Sequence, residues 1–137
     1  MLDLKGLLNQ PEENYMDEVQ LGVFKAQLLE QRLQLIKRIH EREATIAVSD
    51  VAADPADQST IEEHRSFTLR ILARERLDLV AIGDALERIA NGSYGWCEDS
   101  GERIGLPRLV NNPTAQRCIE AQTVFESRSR HLRAEAI

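Results

Sequence analysis

The chain has 137 residues, 29% of them charged and only 4% aromatic, which suits one small domain with long solvated helices rather than a thick globular core. Its formal net charge of −6 argues against non-specific nucleic-acid binding, which needs a basic face to displace counterions. No apolar run approaches the roughly 18–20 residues that span a bilayer, and the two cysteines do not make a disulfide scaffold.

The opening stretch MLDLKGLLNQPEEN lacks the basic start, long apolar run and small-residue cleavage site of a leader, so a cytoplasmic protein is expected. Residues 2–9 fit one short helix that ends before Pro11. From about 15 to 48 the apolar residues Leu21, Phe24, Leu28, Leu35 and Ile39 recur in steps of three and four, with one position missed. That stripe predicts an amphipathic helix of about 32 residues, on the order of 48 Å long. A second run, about 55–90, carries Leu72, Leu79 and Leu86 at heptad spacing with Ile82 and Ile89 between them. Heptad spacing makes a seam for another helix. Two such stripes joined by the short segment 49–54 predict an antiparallel helical hairpin, with the charged residues between the stripes facing water. A dimeric bundle is the alternative, and the short connection favours the hairpin.

Asn91-Gly92 ends the second helix, because both residues tolerate the left-handed conformation. The stretch 93–113, with Trp96 and two prolines, reads as a compact loop-and-hairpin unit. Asn112-Pro113-Thr114 predicts the start of a final helix, Asn as cap and Pro at its first position, running to about 134. No nucleophile–base pair or phosphate loop is in view, so no enzyme is expected.

Cys97-Glu98-Asp99-Ser100 and Cys118-Ile119-Glu120-Ala121 each look like a Cys-x-x-Cys zinc knuckle that has kept its first cysteine and lost its second. A structural zinc takes four ligands, and Ser and Ala stand where two of them belong. The histidines do not repair the set: His40 and His64 fall in the long helices and His131 near the C-terminus. No zinc is therefore expected at Cys97, Ser100, Cys118 and Ala121. Either the cysteines are packed as small apolar groups, or they hold zinc weakly with Glu98, Asp99 or water. Packing in place of metal would fall to Trp96, Ile104, Leu106 and Leu109.

The order YMDEVQ (15–20), DPAD (54–57), NGSYGWCEDSGERIGLPRL (91–109) and NPTAQRCIEA (112–121) resembles the DksA/TraR family of bacterial RNA polymerase regulators over nearly the whole chain. It looks closest to the zinc-free paralogues, in which each CxxC pair is reduced to one cysteine. The resemblance implies a mainly α fold. An N-terminal helix (1–15) would pack with a globular domain, and a coiled-coil hairpin (16–90) would have its tip near 49–57. A degenerate zinc-finger-like unit with a C-terminal helix would follow (91–137).

It also implies a monomer that lodges in the secondary channel of RNA polymerase and modulates open promoter complexes, ribosomal RNA promoters among them, without binding DNA. The family's tip motif Asp-x-x-Asp-x-Ala matches Asp54 and Asp57, with Ser59 in place of Ala. The plain reading of that tip is a helix start, since Asp54 before Pro55 is a good cap and Asp57 favours the helix dipole. The positions of the family's pocket for the alarmone ppGpp fall on Ala81, Asn112 and Gln122. Three neutral residues make a poor phosphate cradle, so ppGpp dependence is expected to be weak. The family fold brings the two knuckles together, which adds a regulatory disulfide to the readings of Cys97 and Cys118. The alternative function is a helical-hairpin assembly module with some other protein partner.

Overall fold

The computed structural model describes residues 2–51 and 58–135. Two helices of equal length dominate it, α2 (Glu18–Val51) and α3 (Gln58–Asn91), the arms of a long helical hairpin. Around them lie α1 (Leu4–Leu7), a single 3-10 turn (Glu12–Asn14), α4 (Leu106–Asn111) and α5 (Ile119–Glu135). Among the described residues there is no strand, only an isolated antiparallel bridge between Trp96 and Arg103. The hairpin expected at 93–113 is reduced to that one bridge. The rest of the stretch contains α4, which opens at Gly105 (φ +101°) with Pro107 in its first turn.

Both long helices have readable ends. The Asp17 carboxylate accepts the Gln20 N–H at 2.9 Å, and the Gln20 side chain in turn accepts the Met16 N–H at 3.0 Å. This is a variant of the reciprocal capping box and fixes the start of α2. At the end of α3 the Asn91 side chain accepts both the N–H and the hydroxyl of Ser93, at 3.0 and 2.6 Å. Gly92 takes φ +86°, so the Asn-Gly stop expected from the sequence is present.

The chain divides into two compact units, Met1–Leu28 with Asp84–Ile137, and Leu29–Gly83. In the first, Leu7, Phe24, Leu28, Tyr94 and Leu109 form the core. The rings of Phe24 and Tyr94 lie 5.4 Å apart, tilted by 52°. Burial of each such side chain contributes about 1.5–3 kcal/mol. Ile104 and Leu109 pack as expected, whereas Leu106 is half-buried and Trp96 remains 37% exposed. In the second unit the seam buries Leu35 and Ile39 on α2 and Leu72 and Ile82 on α3. It also buries two polar side chains, Thr68 and Glu75, so the charged residues do not all face water.

The last helix starts at Ile119, not near 114 as the Asn-Pro-Thr signal suggests. Asn112 caps the end of α4 instead, and the Ala115 N–H bonds back to its carbonyl at 3.0 Å, closing a turn with Pro113 inside it. The carbonyls that a helix would use are taken elsewhere. Tyr94 Oη donates to the Pro113 carbonyl at 2.6 Å, and Arg88 Nη2 to that of Thr114 at 3.4 Å. The chain therefore runs on to Cys118 before α5 begins, and the Gln122 N–H finds the Cys118 carbonyl at 2.9 Å.

Candidate functional site

The sequence singles out three groups of residues: the end of the hairpin, the half-kept knuckles, and the positions that the family resemblance assigns to an alarmone pocket. Asp54 and Asp57 lie outside the described residues; Ser59 is exposed in the first turn of α3. The segment 41–63 carries seven carboxylates and one arginine, a balance of −6 that equals the net charge of the whole chain. The acidity of this protein is thus gathered at one end of its hairpin sequence.

At the knuckles, Cys97 and Cys118 are both buried and free. The Ser100 hydroxyl and the N–H groups of Cys118, Ser100 and Asp99 favour the thiolate of Cys97. Burial alone would push the thiol up, but these donors outweigh it and bring it down to about 7. Ser100 thus occupies a ligand position, where its hydroxyl accepts the Glu102 N–H at 3.3 Å and favours the neighbouring thiolate. Ala121, half-buried on α5, offers only a methyl group. The carboxylates of Glu98 and Asp99 are engaged by Arg117, at 3.5 and 2.9 Å. Two sulfurs, one committed hydroxyl and a methyl do not fit a tetrahedral zinc. Among the described residues no group of three or more His, Cys, Asp or Glu could hold a metal ion.

Other contacts tie the knuckle down. Tyr15 Oη donates to the Gly95 carbonyl at 2.5 Å and accepts the Gly105 N–H at 3.0 Å, bridging both sides of the loop. Its ring meets Trp96 edge-on, with centroids 5.5 Å apart. The Arg103 guanidinium lies 4.8 Å from the Tyr15 ring and 5.9 Å from that of Trp96, and Nη1 reaches the Glu12 carbonyl at 3.3 Å. Partial burial raises the Tyr15 phenol, the Gly105 bond and Arg103 working against it. Gly95 is required here: it takes φ +92°, and a Cβ would stand 2.6 Å from Met16 Cγ. The aromatics and Arg103 were visible in the sequence, but nothing local paired Tyr15 with residues 80 and 90 positions away.

The positions that the resemblance assigns to an alarmone pocket fall in both units. Ala81 is half-buried on α3 in the second. In the first, Asn112 accepts from the Thr114 hydroxyl at 3.0 Å, and Gln122 donates to Glu126 at 3.1 Å. Three arginines of that unit are engaged internally: Arg88 on Thr114, Arg108 on the Arg117 carbonyl at 2.8 Å, Arg117 on Glu98 and Asp99.

Residues 20–89 match the family described as DnaK suppressor protein DksA, N-terminal domain, and residues 92–127 match the prokaryotic dksA/traR C4-type zinc finger. The chain belongs to the DksA/TraR family. Among DksA relatives, the RNA polymerase-binding transcription factor DksA of Caulobacter vibrioides is 38% identical over 87% of this chain and 84% of its own. The protein of that name from Escherichia coli is 35% identical over 90% and 82%. The structure of transcription factor DksA2 from Pseudomonas aeruginosa superposes with a TM-score of 0.83 at 46% identity, covering 91% of this chain and 97% of that one. An RNA polymerase binding protein and transcriptional regulator from Chlamydia trachomatis gives 0.51 at 27%, over 82% and 93%. Within a match described as C4-type, this DksA/TraR member has two cysteines.

Proposed function

We propose that this protein binds RNA polymerase and regulates transcription, its hairpin entering the secondary channel and acting on open promoter complexes without contacting DNA. The observation that carries this reading is the kinship: relatives named RNA polymerase-binding transcription factors align over four-fifths or more of their length at 35–38% identity. Asp54, Asp57 and Ser59 are the proposed tip contacts. The −6 balance of 41–63 gives that end of the hairpin the charge to approach basic side chains or a metal-bearing site. Synergy with ppGpp is weak in this reading, since Ala81, Asn112 and Gln122 are neutral and the nearby arginines already have internal partners. The knuckle unit folds without zinc, held by packing and by the bonds around Cys97 and Tyr15.

The test is a pull-down with core RNA polymerase, followed by the lifetime of open complexes at a ribosomal RNA promoter. The expected result is binding and a shortened lifetime, with Asp57→Asn losing the effect while still binding. No binding to polymerase removes the reading and leaves a hairpin module for another protein. ITC of ppGpp into polymerase with and without the protein checks the alarmone step. A large gain in affinity would overturn it.

A further inference from the structure

Within the unit Leu29–Gly83, the seam positions of α3 step alternately by four and three: Thr68, Leu72 and Glu75, then half-buried Leu79, then Ile82. A seam that repeats every seven residues has slipped registers close at hand, each displaced by about 10 Å along the helix. Apolar side chains alone discriminate poorly between them. Glu75 discriminates well. Its side chain is 10% exposed and sits between two cations: Arg42 Nε donates to Oε1, and Arg38 Nε stands 3.6 Å from Oε2. The more exposed pair Glu43–Arg76, at 3.0 Å, belongs to the same register.

Seven residues to one side of Arg38 and Arg42 stand Gln31 and Leu35, and to the other side Thr45 and Ser49. None is a cation, so a slip in either direction strands a buried carboxylate without a counter-ion, the costly arrangement. The ion pair itself adds little stability, because well-packed apolar residues in such a place are often as good or better. Its worth lies in the difference between the native register and the slipped ones. We propose that Glu75, held between Arg38 and Arg42, locks the register of the hairpin and so fixes which residues stand at its end. Glu75 is thus a positioning residue; its consequence for transcription rests on the polymerase reading above, while the lock itself does not.

Spin labels on bioorthogonal side chains at the exposed positions His40 and Glu63 report the register by pulsed dipolar spectroscopy in the full chain, leaving both cysteines untouched. The parent chain should give one distance. Glu75→Leu should keep its helix content, melt no lower, and show a second distance displaced by up to about 10 Å. A single unchanged distance in Glu75→Leu overturns the lock. Should that variant lose helix content, Glu75→Gln, which keeps the shape and loses the charge, decides on the same criterion. With polymerase, Glu75→Leu should weaken the effect on open complexes several-fold. A split distance with undiminished activity leaves the lock standing and counts against the tip mechanism.

Discussion

At Cys97 the Ser100 hydroxyl and the N–H groups of Cys118, Ser100 and Asp99 favour the thiolate within a stretch that matches a C4-type finger. The consequence for stability has a definite sign. Burial works against the thiolate, the donors favour it more, and the folded thiol lies at about 7 against an ordinary 9.0. A depressed pKa stabilises the fold fully above the unfolded value, and that stability is lost as pH falls through the folded value. The melting temperature is therefore expected to rise between about pH 7 and pH 9, with the rise abolished in Cys97→Ser; thermal scans by circular dichroism across that window check it. Ser100→Ala should move the alkylation rate profile of Cys97 to higher pH. Tyr15 gives a second prediction. Tyr15→Phe leaves the Gly105 N–H without its acceptor and takes one of two donors from the Gly95 carbonyl, which keeps the Ile104 N–H, and should cost about 1–3 kcal/mol, read as a shifted urea midpoint. The cysteine pattern was legible in the chain because its spacing is local. Tyr15's role was not, since both of its partners come from the far end of the sequence.

Among the elements, the long helices were the most legible. Their periodicity accumulates over many turns, and Asn-Gly marks a stop unambiguously. Short elements were less so. Asn112-Pro113-Thr114 serves equally as a helix start or a turn, and the choice was made by Tyr94 and Arg88 claiming the carbonyls of Pro113 and Thr114. Glu75 escaped notice because an apolar template skips a charged residue at a seam position, and its counter-ions sit on the other helix. The start of α2 carries a testable local signal. Asp17→Ala removes the acceptor for the Gln20 N–H and should destabilise the fold by about 1 kcal/mol, whereas Asp17→Asn or Asp17→Ser should hold most of it. Chemical denaturation of the three variants separates these outcomes.

At the scale of the whole molecule, family membership follows from the sequence, and the open question is what keeps the knuckle unit folded. In a C4-type finger, metal binding and folding are one free energy, so a chelator removes both. Here Tyr15, Arg103 and Trp96 span the same loops, and Tyr94 and Leu109 supply a buried core beneath. EDTA is therefore expected to leave the melting temperature of the parent chain unchanged; a chelator-dependent loss of fold would contradict the metal-free reading. The converse experiment is sharper. The Glu98 N–H bonds to the Gln116 carbonyl at 2.9 Å, and the Cys118 N–H favours the Cys97 thiolate, so the two knuckles lie side by side. Ser100→Cys with Ala121→Cys would return a thiol to each of the other two knuckle positions and complete a four-thiolate set. That double variant should take up one equivalent of zinc during expression, measured by elemental analysis, and its melting temperature should fall on chelation while the parent's does not. Polymerase binding should survive in both. Failure of the double variant to take up zinc would mean that the loops have drifted from knuckle geometry and that more than two side chains separate this protein from a zinc-bearing relative.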